Sequence, residues 1–218
     1  MTTKTVLIKK YKPITPGFRD KVGLRFNFLS KNKSSFLIKP LKRFKYKNSK
    51  GNLVNYNRQF GHKKLYRLVD FKREFTDIIG TVVGFEYDPN RNTNLALIQY
   101  ENGTYSYIID LEDLKIGDTI ITGLKNNLNL NFGDCLSLKD IPLGTFISNI
   151  ENKPNSGAVY LRSAGSYGLL FQKTDNTAKI QFKSGLIKEF SLNCKAVIGK
   201  IAGFENKFIK LGKAGVNR

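Results

Sequence analysis

No stretch of ten or more residues in this chain spaces its apolar side chains at helical intervals. The apolar residues come instead in short alternating or β-branched runs, cut apart by Gly, Asn, Asp and Pro. That is the pattern of many short strands. Leu65–Lys72, Ile78–Tyr87, Asn94–Tyr100, Thr104–Ile109 and Lys115–Thr122 make one series. Thr145–Ile150, Gly168–Lys173, Thr177–Phe182, Leu186–Ser191 and Cys194–Ile201 make a second. Pro89 and Asn90 mark a turn after the second run, and Asn102-Gly103 predicts a two-residue hairpin, because that pair accepts positive φ values.

The fold class expected is therefore all-β. Strands this short leave unpaired edges, and closing each series into a barrel would remove them. Each series holds roughly five strands, the size of a small barrel that offers its loops and one face to oligonucleotides. The expected organisation is an extended basic arm over 1–64, a first barrel over 65–124, a second over 125–211 and the start of a C-terminal extension at 212–218.

Charge divides the chain more sharply than hydropathy does. Lys and Arg number 37 against 17 Asp and Glu, a formal net charge of +20. Residues 1–75 hold 21 basic and 3 acidic residues, a net of +18, whereas residues 76–218 hold 16 and 14. A block of one sign at this density marks an interaction segment for a polyanion. Aromatic residues interleave with it, most densely at Lys42-Arg43-Phe44-Lys45-Tyr46-Lys47 and Arg58-Gln59-Phe60-Gly61-His62-Lys63-Lys64. Lys42, Arg43, Lys45, Lys47 and Arg58 are candidate phosphate contacts, and rings among them can stack on exposed bases or dock the arm onto its own domain. Lys31–Ser35 and Lys47–Asn52 carry no periodicity and are expected to order only on binding.

The chemistry of an enzyme is hard to assemble from these residues. His62 is the only histidine, so no multi-histidine metal site can form, and no cofactor is expected. Cys135 and Cys194 read as small buried side chains in a reduced compartment, since two cysteines make neither a disulfide scaffold nor a zinc cluster. Asp110, Glu112, Asp113 and Asp118 read as a solvated connection, and glycines near Lys200 and Lys213 lack the spacing of a phosphate-binding loop. Ser163-Ala-Gly-Ser-Tyr167, beside Arg162, can be drawn as a close approach to a phosphate backbone or as a plain turn. No run approaches the 18 apolar residues of a membrane span, and Met1–Lys10 has too short an apolar run for a signal peptide.

A series of distinctive segments runs along the chain: Gly61-His62-Lys63-Lys64, Val69-Asp-Phe-Lys-Arg73, Glu86-Tyr-Asp-Pro-Asn-Arg91 with Asn94-Leu-Ala-Leu-Ile98, and Ile141-Pro-Leu-Gly144. They continue with Leu161-Arg-Ser-Ala-Gly-Ser-Tyr167, Lys183-Ser-Gly185, Cys194-Lys-Ala-Val-Ile-Gly199 and Leu211-Gly-Lys-Ala-Gly215, in order over residues 60–215. Together they resemble the large-subunit ribosomal protein uL2 (bacterial L2) family. The resemblance implies an oligonucleotide-binding-type (OB-fold) barrel followed by an SH3-like barrel. It implies a structural, non-enzymatic role: binding large-subunit rRNA, supporting subunit association across the interface with the small subunit, and lying near the peptidyl-transferase region among neighbouring ribosomal proteins. Carried over by motif, the rRNA contacts would be His62, Lys63, Lys64, Lys72, Arg73, Arg91, Arg162, Ser163, Ser166, Lys195, Lys213 and Arg218.

Phe60 stands where the family usually has a further glycine. Family members also continue past the Leu-Gly-Lys-Ala-Gly motif into a basic Gly- and His-rich extension, whereas this sequence stops at Arg218. The expectation is a loss of that extension or a separate C-terminal uL2 polypeptide. A composition rich in Lys, Asn, Ile, Phe and Tyr resembles organellar coding, which points to a mitochondrial ribosome ahead of a plastid or bacterial one. The rival readings are a transiently ribosome-associated translation factor or other RNA-binding module, a protein of anionic membrane surfaces and a hydrolase.

Overall fold

The computed structural model describes residues 4, 6–30, 35–41, 48–54, 63–123 and 130–217. The basic segment is not simply extended. β1 (Val6–Lys10) pairs antiparallel with β2 (Val22–Phe26) around a four-residue helix, α1 (Pro16–Arg19), and β3 (Ile38–Pro40) pairs with β4 (Leu65–Arg67). Asn48 caps a turn by accepting the backbone N–H groups of Lys50 and Asn52 at 3.0 and 2.9 Å.

Strands β5 (Gly80–Glu86), β6 (Leu95–Tyr100), β7 (Tyr105–Ile109) and β8 (Thr119–Ile120) form a sheet in the order β7-β6-β5-β8. β9 (Cys135–Ser137) and β10 (Phe146–Ser148) open the second half, followed by a small pair, β11 (Ile150–Glu151) and β12 (Ala158–Tyr160). β13 (Gly168–Lys173), β14 (Thr177–Phe182), β15 (Ile187–Ser191) and β16 (Lys195–Ile198) complete a six-stranded sheet in the order β15-β14-β13-β10-β16-β9. A one-turn helix, α2 (Ala214–Asn217), follows.

Neither sheet closes, and this corrects the expectation of an OB-fold-type and an SH3-like barrel. In the first sheet the outer strands β7 and β8 do not pair with each other, and in the second β15 and β9 do not. The all-β reading gives way to a mixed fold of open sheets and short helices. The physical cause lies at the edges. β8 offers only two residues, too few to zip along β7. The free side of β7 is taken by Val69, which bridges Tyr107, while the Asp70 N–H donates to the Tyr107 carbonyl at 2.8 Å. Beyond β8 the chain crosses to the other sheet: Thr122 bridges Cys135, and the Cys135 N–H donates to Ile121 at 2.9 Å. Edges here are covered by neighbouring chain rather than by closure.

The two sheets share their interior. Alternate residues of a strand face opposite sides, and β9 and β16 use both sides. Cys135 and Val197 join a core built on Val82, Phe85, Leu95, Ile98, Tyr107 and Ile120. Their neighbours Leu136, Ala196 and Ile198 join a second core with Ile147, Ile150, Leu170, Ile180 and Phe190. Two strands thus serve as a common wall.

The hairpin after β6 differs in detail from expectation. Gly103 alone takes positive φ (77°), its N–H donates to Tyr100 at 2.9 Å, and the Tyr100 N–H donates to Thr104 at 2.9 Å. This is a three-residue loop with Gly in the left-handed position, the next commonest hairpin solution after the two-residue turn. Elsewhere, segments from the first and last parts of the chain meet: the N–H groups of Val22 and Lys210 donate to each other's carbonyls at 3.0 and 3.1 Å. Gly212 (φ 81°) lies so close to Gly17 that a Cβ there would fall 2.2 Å from the Gly17 carbonyl oxygen.

Candidate nucleic-acid interface

Three loops converge on the ring of Phe71. The first, between β4 and β5, is shaped by Asp70, whose Oδ1 accepts the N–H groups of Lys72 and Arg73 at 3.1 and 2.7 Å. That turn lets Arg73 adopt φ 52° and leaves Lys72 pointing outward, its side chain 62% exposed. The Phe71 carbonyl accepts the Ala158 N–H at 2.8 Å, fastening this loop to β12. The second loop, between β5 and β6, turns on buried Asp88, which accepts the Asn90 N–H at 2.9 Å and pairs with the Arg91 guanidinium. The third, between β12 and β13, carries Arg162 directly after Leu161, itself held at φ 55°.

The guanidinium carbons of Arg91 and Arg162 lie 5.5 and 5.0 Å from the centre of the Phe71 ring, and Arg91 lies 5.7 Å from Tyr66. Attraction between cation and ring anchors both guanidinium groups to Phe71. Asn90 donates to the Leu65 carbonyl at 2.8 Å, tying the second loop to β4, and exposed Lys63 and Lys64 lead into that strand. Asp88 neutralises Arg91, but the other cations of the cluster are scarcely cancelled. Lys72 meets Glu74 only at 4.0 Å between two exposed side chains, a pair of negligible strength, and Arg162 has no ion-pair partner among the described residues.

Ser163–Ser166 is a turn. The Ser166 N–H and hydroxyl both donate to the Ser163 carbonyl, at 3.1 and 2.7 Å. Gly165 (φ 65°) docks the turn so tightly that a Cβ there would sit 3.0 Å from Cα of Phe204. Ser163 is exposed beside Arg162, whereas the Ser166 hydroxyl is engaged within the turn.

Other expected contacts stand apart from this cluster. Arg73 is 5% exposed, and its guanidinium donates to the Gly133 carbonyl at 3.4 Å. Lys195 is half-buried on β16, where its N–H donates to Glu151 at 3.0 Å; that buried carboxylate also accepts Asn155 and Gly157. Lys213 is exposed and lies over Gly17, next to the pairing of Val22 with Lys210. His62, Lys42, Arg43, Lys45, Lys47, Arg58 and Arg218 lie outside the described residues. What sequence reasoning did not find is the role of Phe71: its motif was legible, but nothing in the run of letters shows that Arg91 and Arg162 share its ring.

The cysteines are both free and buried, and burial pushes the Cys135 thiol up to about 11 and raises that of Cys194. Among the described residues no three His, Cys, Asp or Glu side chains gather as a metal site, and no helix is long and apolar enough to cross a membrane.

Comparison with known proteins decides the family. Residues 34–122 match the model of the RNA-binding N-terminal domain of ribosomal proteins L2, and residues 131–218 match that of their C-terminal domain. Large ribosomal subunit protein uL2 of Buchnera aphidicola subsp. Acyrthosiphon pisum (strain Tuc7) is 42% identical over 212 residues, covering 97% of this chain and 77% of that protein. The uL2 proteins of Rickettsia africae and Rickettsia typhi are 41% identical over the same length and coverage. The chain belongs to the ribosomal protein uL2 family. Proteins of the uL2 family are structural and RNA-binding rather than enzymatic, which fits a site made of cations and rings. The matched relatives are of bacterial type. In uL2 terms, Arg91 and Arg162 come from the two separately matched parts, so the Phe71 cluster joins them.

Proposed function

We propose that this uL2-family chain is a structural constituent of the large ribosomal subunit that binds and organises large-subunit rRNA, with the Phe71 cluster as its fixed contact. The carrying observation is the convergence of Arg91 and Arg162 on one ring from two loops, beside outward-facing Lys72. Guanidinium groups held in place lose little freedom on meeting a phosphate, and their planar forks suit its oxygens. Lys63, Lys64, Lys72, Arg91, Arg162 and Ser163 act as direct contacts in this reading, and Arg73 acts from below by holding the loop. His62, Ser166, Lys195, Lys213, Arg218 and the basic residues of the arm extend the contact. The two matched parts of the chain work as joined RNA-binding units.

The finer assignments rest on the resemblance and the composition. They are support of the peptidyl-transferase region and of association with the small subunit, contact with neighbouring ribosomal proteins, and work in a mitochondrial ribosome. Mass spectrometry of salt-washed large subunits from isolated mitochondria tests these together, with this chain expected. Absence of this chain from those subunits overturns the mitochondrial assignment.

RNA binding itself is tested by titrating the full chain with a large-subunit rRNA fragment over a range of salt. The double variant Lys72→Ala, Arg162→Ala is expected to bind about tenfold or more weakly and to lower the salt slope by about 1–2. Lys115→Ala, an exposed lysine on another loop, is expected to change neither. Equal binding by all three proteins contradicts the assignment of this cluster.

A further inference from the structure

Four aromatic rings and three lysines alternate in a row that starts at β10 of the second sheet. Phe146 of β10 meets Tyr167 edge to face at 5.3 Å between centroids, and the Lys200 ammonium lies 4.2 Å from the first ring and 5.1 Å from the second. The Lys183 ammonium lies 5.6 Å from Tyr167 and 4.6 Å from Phe204. The Lys207 ammonium lies 3.7 Å from Phe204 and 4.9 Å from Phe208, two rings carried one turn apart on the 3-10 helix Phe204–Phe208. Each lysine thus sits between two rings, in a row assembled from the segments around residues 146, 167, 183, 200 and 204–208.

Packing alone does not account for this row. Phe146, Phe204 and Phe208 remain 41%, 43% and 43% exposed. None of the three lysines forms an ion pair among the described residues, although Glu205 lies within the same 3-10 helix. Lys183 is steadied by donating to the Gly165 carbonyl at 3.2 Å, and Phe204 by the close approach of Gly165. The Asn206 side chain donates to the Asn92 carbonyl at 2.6 Å, so the row adjoins the turn that carries Arg91.

We infer that this row is a second RNA site, one that takes unpaired nucleotides. The inference rests on the rRNA-binding reading above and adds to it the form of RNA recognised. Duplex RNA hides its base faces, so lysines alone would serve it. Exposed rings between phosphate-binding cations suit a strand whose bases are splayed out, stacking on the rings while its phosphates pass the ammonium groups.

Two labelled probes separate the sites: a twelve-nucleotide oligoadenylate containing 2-aminopurine, and a blunt twelve-base-pair RNA duplex, each titrated with the full chain by fluorescence anisotropy. The variant Phe204→Leu, Phe208→Leu is expected to bind the oligoadenylate about tenfold or more weakly and to lose 2-aminopurine quenching, with duplex binding unchanged. The neutral variant Lys183→Gln, Lys200→Gln, Lys207→Gln keeps the rings and is expected to lower the oligoadenylate salt slope by about 2. Unchanged oligoadenylate binding by the Leu variant, or equal loss for both probes, overturns the inference. So does crosslinking of Phe204 to protein rather than to RNA in assembled large subunits. Failure of the Lys72, Arg162 variant to affect either probe would instead count against the Phe71 cluster.

Discussion

Asp110 is fully buried at the end of β7 and is met by the ammonium of Lys4, which also donates to the Leu111 carbonyl at 2.6 Å and lies 4.3 Å from the Phe85 ring. Burial raises the Asp110 carboxyl from 3.8 to about 6, outweighing the attraction of Lys4. Between those two values the folded protein keeps a proton that the unfolded chain has released. Stability contributed by this group is therefore present at low pH, falls as pH rises through the window and is flat above about 6. Urea unfolding at pH 4, 5, 6 and 7 is expected to show a loss on the order of 2 kcal/mol from this source, absent in Asp110→Asn. A wild-type and variant pair with the same pH slope would refute the assignment. At this scale the sequence is legible where one residue sets its own turn, as Asp88 does for Arg91. It is opaque where the partner is remote, as for Lys4 and Asp110.

Strand by strand, two runs are legible to the residue: Gly168–Lys173 and Thr177–Phe182 appear as β13 and β14 with those bounds. Lys115–Thr122 shrinks to the two residues of β8, because Gly117 and Asp118 form a turn in which the Gly117 N–H donates to the Val82 carbonyl at 2.9 Å and the Asp118 carbonyl accepts the Val82 N–H at 3.0 Å. β1 and β2 were hidden in the basic segment because neither buries a face, so no alternation of polarity betrays them. α1 and α2 are four residues each, shorter than the window in which helical spacing can register. Barrel closure, which strand count suggests, fails because the edges of β7 and β9 are met by Val69 and Thr122. The contact of Val22 with Lys210 depends on a bare backbone at Gly212, and Gly212→Ala is expected to cost roughly 1–3 kcal/mol locally. Hydrogen exchange should quicken at the Val22 and Lys210 amides while β6 keeps its protection. Unchanged exchange at both amides would show that the backbone can yield there.

Across the whole molecule, the common wall of β9 and β16 makes the two cores dependent on each other. Ile98 lies in one core and Ile147 in the other, and both are fully buried. Ile98→Ala and Ile147→Ala are each expected to cost about 2–5 kcal/mol. Calorimetry should show one transition moving as a unit in either variant, and two separable transitions would refute the shared wall. The charge is apportioned differently: residues 1–75 hold nearly all the excess, while the fully buried residues of both cores lie beyond them. The link between Val22 and Lys210 then sets an order in time. A polypeptide is synthesised from its N-terminus, so β2 exists long before the residue that completes its edge. Throughout that interval β2 is held on one side by β1 alone, and its outer contact at Val22 is among the last to form.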